Sequence, residues 1–294
     1  MSSAALTARP VDATALARHR RRLHTAAAAP WLHAEVARRM AERLVILRQP
    51  PQAVLDWGAF VGGSHAALHA ALPKARVQAV EPEGLRPVGA QPWWRAAFTR
   101  PATGWLPAAV PPGSAELVWS NMALHGAEDP TALMAEWHRA LAVEGFLMFS
   151  TLGPGTLLTL GALYDEAGWG PALAPFVDMH DLGDQLVQAG FADPVMDQET
   201  LTLTWADAAA ALAELRSLGG NAASDRARGL RTPRWRARLE AALARRAGPR
   251  GRLALEFEVV YGHAVRPQPR ARVAPETVLP LDDLRRMVRR PSRP

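Results

Sequence analysis

The residues that could do chemistry are few, and they sit at the ends of short apolar runs. Asp56-Trp57-Gly58-Ala59-Phe60-Val61-Gly62-Gly63 follows the run Ala53 to Leu55. Glycines in such a turn let the backbone approach a ligand, and the unpaired N–H groups of a following helix face an adenosyl or phosphate group. Glu81 ends the next apolar run, 25 residues after Asp56. An acid at that place can accept both hydroxyls of a ribose. Asn121 ends a third run, and its side-chain amide can either hydrogen-bond a ligand or cap a turn. The candidate binding residues are therefore Asp56, Gly58, Phe60, Gly62, Glu81 and Asn121. His125 follows Asn121 closely and reads as a structural histidine, and His180 and Asp181, as helix neighbours, do not face each other. The chain has no cysteine, and H-E-x-x-H does not occur. No metal site and no thiol nucleophile are expected.

Charge is the second source of candidates. Of 34 basic residues only Lys74 is a lysine, and the formal net charge is +6. The sign is uneven along the chain. Residues 1–50 hold nine arginines against three acids, residues 264–294 hold eight against three, and the body between them is net acidic. Arg20, Arg21 and Arg22 with Arg38 and Arg39 form one expected basic surface; Arg226, Arg228, Arg231, Arg234, Arg236 and Arg238 form another. Arginine grips carboxylate and phosphate bidentately, so either surface could hold an anionic substrate or carrier, or be a solvated face. No nucleic-acid recognition motif accompanies the charge, and nucleic-acid binding is not expected.

These residues need a scaffold, and the pattern around them supplies one. Leu32, Val36, Met40, Leu44 and Leu47 recur at three and four residues, predicting a helix up to the stop at Pro50-Pro51. Strand from Ala53, glycine turn, helix from Ser64 and strand Ala75–Val80 make one βαβ unit of a doubly wound sheet. Further strands are predicted at 95–98, 116–120, 145–150, 194–203 and 253–263, with helices at 131–140, 179–189, 205–218 and 235–247. The organisation expected is an N-terminal helical segment (1–50), a main domain (51–263) with a helical lid at 205–250, and a Pro/Arg-rich tail (264–294). No run of eighteen uncharged apolar residues and no secretory signal is present, so a cytoplasmic chain without a membrane span is expected.

In its order of strand, glycine turn, acid and LVWSN-x-A-L-H, the chain resembles class I S-adenosylmethionine-dependent methyltransferases. The stretches ELVWSNMALHGAEDP, DMHDLGDQLVQAGFADPVMDQETLTLT, ELRSLGGNAASDRARGL, RWRARLEAAL and FEVVYGHAVRP resemble the biotin-pathway malonyl-acyl-carrier-protein O-methyltransferases. Related mitochondrial complex I assembly proteins share several of them. The resemblance implies an α/β, Rossmann-like sheet of seven strands with a helical lid before the last strand. It also implies S-adenosyl-L-methionine as cofactor, an acidic carrier protein bearing a malonyl group as partner, and methyl transfer to the free carboxylate. Arg226 on the lid would clamp that carboxylate. The family's G-x-G-x-G turn keeps Gly58 and Gly62 but places Phe60 between them, where a side chain would crowd the methionine part of the cofactor. Residues 102–114 lack the family's adenine-binding acid, and the N-terminal helix lacks its tyrosine. The alternative is a binding or assembly protein that has kept the fold and lost the methyl donor.

Overall fold

The structure, a computed structural model, describes residues 10–81, 105–248 and 250–269. The expected strand at 95–98 and the tail beyond residue 269 lie outside these residues. The N-terminal segment is two helices rather than one: α1 (Ala13–His24) and α2 (Trp31–Glu42). Asp12 caps α1, its Oδ1 accepting the Ala15 N–H at 3.0 Å, and Pro30 sets the start of α2. The apolar stripe buries Leu32, Val36 and Met40 completely.

Then follow β1 (Ala53–Trp57), the single turn α3 (Ala59–Gly62), α4 (His65–Ala71) and β2 (Arg76–Val80). Beyond them come β3 (Ala115–Ser120), α5 (Pro130–Ala140), β4 (Leu141–Leu152), α6 (Leu158–Glu166) and α7 (Met179–Gln188). The chain ends its described part with β5 (Ala192–Trp205), α8 (Ala208–Leu218), α9 (Pro233–Ala244) and β6 (Leu253–Val265). Asp129-Pro130 starts α5 as its residue types require, with Asp129 Oδ1 accepting the Ala132 N–H at 3.0 Å.

Among the described residues the sheet has six strands in the order β2-β1-β3-β4-β6-β5. The first four are parallel, and β6 runs antiparallel to both β4 and β5. Parallel strands covered on both faces read as continuous apolar runs, as Leu117, Val118 and Trp119 do, each fully buried. In β6 the alternation Leu255, Phe257, Val259, Tyr261 turns one face into the core. Helices α8 and α9 stand between β5 and β6, where helices before the last strand are expected. Their residues Ala211, Leu239 and Leu243 pack into the core beside Leu255 and Phe257 of the sheet. Helix α1 also covers the carboxyl edge of β1, through Arg20, Leu23 and His24. The segment joining α8 to α9 reaches back to hold that helix: Asp12 N–H donates to Ala222 O at 2.8 Å and Ser224 N–H to Pro10 O at 3.1 Å.

Candidate active site

At the carboxyl ends of β1 and β3 lies a cavity of about 330 Å³, lined among others by Arg20, His24, His33, Gly58, Met122 and Glu136. Gly58 adopts φ +75°, a left-handed conformation that glycine takes without strain. Its N–H donates to Val80 O and its carbonyl accepts the Gly62 N–H, both at 2.8 Å. The strand is thereby turned into α3 with the backbone at the cavity wall. Opposite stands Met122, a non-glycine residue at φ +55°. Its N–H is held by the Ser150 carbonyl and Ser150 Oγ, both at 3.1 Å. Strain of this kind persists where the surroundings over-determine it, commonly beside binding sites.

Two acids lie beneath the turn. Asp56 is 2% exposed, and its Oδ1 has no hydrogen-bond partner. Burial, reinforced by the charge of Glu81 and only partly offset by Ser64, pushes its carboxyl up to about 8. Glu81, equally buried, accepts the Phe60 N–H on Oε1 at 2.8 Å. Its Oε2 lies 3.2 Å from His24 Nε2, and His24 Nδ1 is 2.9 Å from Arg20 O. A carbonyl and a carboxylate both only accept, so both ring nitrogens must carry protons and His24 is an imidazolium. Burial pulls its pKa down, but the bonds to Glu81 and to the Arg20 carbonyl outweigh that and leave it raised. The last residue of α1 therefore latches onto the acid that ends β2.

The other candidates divide into scaffold and neighbours. Asn121 is wholly engaged by protein: its Nδ2 donates to His33 O (2.8 Å) and Gly62 O (2.5 Å), and its Oδ1 accepts from Ser150 Oγ (2.6 Å). It ties the glycine turn to α2 and β4 instead of offering a free amide. Gly62 is close-packed; a Cβ there would lie 3.0 Å from the Asn121 carbonyl. The ring of Phe60 is not where the glycine pattern puts it. It packs on His24, with centroids 5.8 Å apart, and does not line the cavity, so crowding of the cleft is not observed. Arg226 lies elsewhere: its Nη2 donates to Asp12 at 2.7 Å and its Nη1 to Ala223 O, on the far side of α1 from the cavity-lining Arg20 and His24. A clamp on a substrate in this cavity cannot be Arg226 in this arrangement.

The two arginine groups also break up. Arg38 pairs with Glu35 and Glu42, and Arg39 pairs with Glu35 and Glu199, each contact to Glu35 and Glu199 at 2.8 Å, so neither belongs to the surface formed by α1. Arg236 is paired with Glu240, while Arg231 lies over the Trp235 ring. Among the cavity residues Arg20 belongs to the first basic surface read from the sequence, whereas His24 and His33 were not singled out there. His33 interrupts the buried apolar stripe of α2, and that interruption is the readable signal. Its Nδ1 lies 2.8 Å from Val61 O, and burial, partly opposed by that bond, lowers its pKa to about 4. His33 is therefore neutral and donates from Nδ1, leaving Nε2 as an acceptor. Arg20 brings a guanidinium to the cavity that is bonded to no acid among the described residues. Among the described residues, no three of His, Asp and Glu are grouped to hold a metal ion, and no helix is long and apolar enough to cross a membrane.

Comparison with known proteins adds the following. Residues 101–149 match the family model described as a methyltransferase domain. The chain is 42% identical over 257 residues to a malonyl-[acyl-carrier protein] O-methyltransferase of Laribacter hongkongensis, covering 82% of this chain and 84% of that protein. It is 43% identical over 244 residues to the enzyme of the same name from Halorhodospira halophila, covering 79% and 80%. A solved Bacillus halodurans structure named as a methyltransferase superposes with a TM-score of 0.51 over 78% of this chain and 99% of that one, at 13% identity. That last likeness bears on the fold alone.

Proposed function

The chain belongs to the malonyl-[acyl-carrier protein] O-methyltransferase family, and from that premise we propose how its own residues perform the reaction. The protein is an S-adenosylmethionine-dependent enzyme that methylates the free carboxylate of a malonyl group carried on an acyl carrier protein, a step in making a biotin precursor. The observation that carries the site assignment is the cavity at the glycine turn. The turn is backed by two buried acids, Asp56 with an unpartnered oxygen and Glu81 bonded to the Phe60 N–H, and the cavity is lined by Arg20, whose guanidinium is bonded to no acid among the described residues.

The residues present fit the cofactor. An unpaired buried acid beside a second acid favours a cationic ligand, and S-adenosylmethionine is cationic at both its sulfonium and its ammonium. When bound it supplies a methyl carbon whose bond to sulfur breaks as a bond to the carboxylate oxygen forms. Gly58 would present backbone to it, and Glu81 would accept the ribose hydroxyls. Each Glu81 oxygen has a second lone pair, and Oε2 becomes fully available once His24 lets go. Asn121, Gly62 and Phe60 hold the turn in shape around it.

The carboxylate is already a nucleophile, so the protein has no proton to remove from it. What the chain must provide is alignment and a dry environment. Arg20 is the cation placed to hold the malonyl carboxylate, and α1, closing over the cavity through His24, is the element that would exclude water. The test is calorimetric titration with S-adenosylhomocysteine of the wild type and of Glu81→Ala. The expected result is binding by the wild type that the substitution abolishes or weakens at least tenfold. Absence of binding by the wild type would refute the assignment of this cleft.

A further inference from the structure

On the opposite face of α1 from the cavity lies an open groove of about 660 Å³, closed on its other side by the segment joining α8 to α9. Arg18, Arg22, Arg226 and Arg228 line it, against one lining acid, Asp12, which is taken by Arg226 at 2.7 Å. Among the described residues Arg18, Arg22 and Arg228 have no carboxylate partner. Arg18 Nε donates to Thr14 O and Arg22 Nη2 to Arg216 O, and each carbonyl leaves the guanidinium charge unmet. His19, between them, has its pKa lowered by burial and then by the charges of Arg22, Arg226 and Arg18. This concentration of unpaired positive charge stands out in a chain whose central body is net acidic. At the rim Leu230 is 101% exposed, a large apolar side chain standing wholly in water beside Arg228.

We propose that this groove is the docking surface for the acidic carrier protein that delivers the malonyl group, with an acidic helix of the carrier lying along Arg18, Arg22 and Arg228 and its apolar flank covering Leu230. The proposal rests on the function given above. Charge complementarity selects an anionic partner and steers its approach. Leu230 selects a protein over a free anion, because a phosphate or carboxylate has no use for an exposed leucine, whereas protein interfaces bury apolar groups inside a polar rim. Helix α1 connects the two sites: Ala15, Arg18, His19 and Arg22 face the groove at helical spacing, while Arg20, Leu23 and His24 of the same helix line the cavity. A carrier held on one face would stand within reach of the cavity on the other. The same contact would press on the helix whose last residue latches Glu81.

Two variants test this: Arg18→Glu with Arg228→Glu, and Leu230→Ser alone. Initial rates of methyl transfer are measured with malonyl-carrier protein and with malonyl-N-acetylcysteamine, a malonyl thioester that has no carrier. The expected outcome is a tenfold or greater rise in KM for the carrier substrate in the double variant and a smaller rise in Leu230→Ser. The short thioester should be used unchanged by both, which also shows that they fold. Equal loss on the two substrates would overturn the proposal, since the groove would then belong to the small substrate's own site. Unchanged KM on both would overturn it as well, as would wild-type self-association abolished by the double variant, which would make a second copy the occupant. If the wild type methylated neither thioester, the functional reading itself would fail, an outcome distinct from all of these.

Discussion

Replacing Asp56 with Asn separates two effects that the wild-type acid combines. Its carboxyl is raised from the ordinary 3.8 to about 8, so between those values the folded chain holds a proton that the unfolded chain releases. Stability therefore falls as pH rises through this window, by on the order of 1 kcal/mol per pH unit at most. His24, also raised, adds stability that is present below the ordinary histidine value and lost as pH rises through its folded one. Thermal melts of Asp56→Asn at pH 5 and pH 8 are expected to show a variant that gains on the wild type as pH rises. A difference independent of pH would show that the acid is not buried uncharged. Ligand binding runs the other way. A cation in the cleft draws the proton from Asp56, and loss of the His24 proton opens Glu81, so the affinity for S-adenosylhomocysteine is expected to increase from pH 6 to pH 8. In His24→Ala the gain in affinity over the wild type should be larger at pH 6 than at pH 8; calorimetry at the two pH values checks this.

At the scale of elements, the glycine turn and α1 set the geometry. Gly58→Ala forces a side chain into the left-handed region at a cost of about 1–2 kcal/mol, while its Cβ would meet only Ala123 Cβ at 3.4 Å. A modest drop in melting temperature with folding preserved is expected, and a neutral effect would mean that the turn is not held as described. Asp12 both caps α1 and pairs with Arg226. Asp12→Ala should cost about 1–2 kcal/mol and increase hydrogen exchange in residues 13–24 above that in α2. The strands, the βαβ unit, the Asp129-Pro130 start and the last two strands were legible in the sequence because apolar runs and turn residues mark them locally. Three things were not legible. The break between α1 and α2 lies in the alanine-rich stretch HTAAAAPW, which reads as helix until Pro30 intervenes. The packing of α8 and α9 on the sheet is a tertiary outcome of which apolar faces meet. Asn121 and Arg226 were expected at a ligand, but their hydrogen-bond partners are distant in sequence, and only the fold shows that these are already satisfied.

For the molecule as a whole, position along the chain matters more than the net charge of +6. Arg38 and Arg39 on α2 and Arg236 on α9 are paired with local acids, whereas Arg18, Arg22 and Arg228 at the groove beside α1 have no carboxylate partner among the described residues. Helix α1 thus separates a cavity lined by Glu128, Asp129 and Glu136 on one side from a positive open groove on the other, and on the proposed reading one element would serve both cofactor and partner. The central claim is that this arrangement performs carboxyl methylation on a carrier-bound malonyl group. Incubation of the full chain with S-adenosylmethionine and malonyl-carrier protein, read by intact-mass spectrometry of the carrier, tests it most directly. The account predicts a carrier heavier by one methyl ester, with the gain absent for acetyl-carrier protein and lost in Glu81→Ala. An unmodified malonyl-carrier protein, under conditions where S-adenosylhomocysteine binds the enzyme, would contradict it.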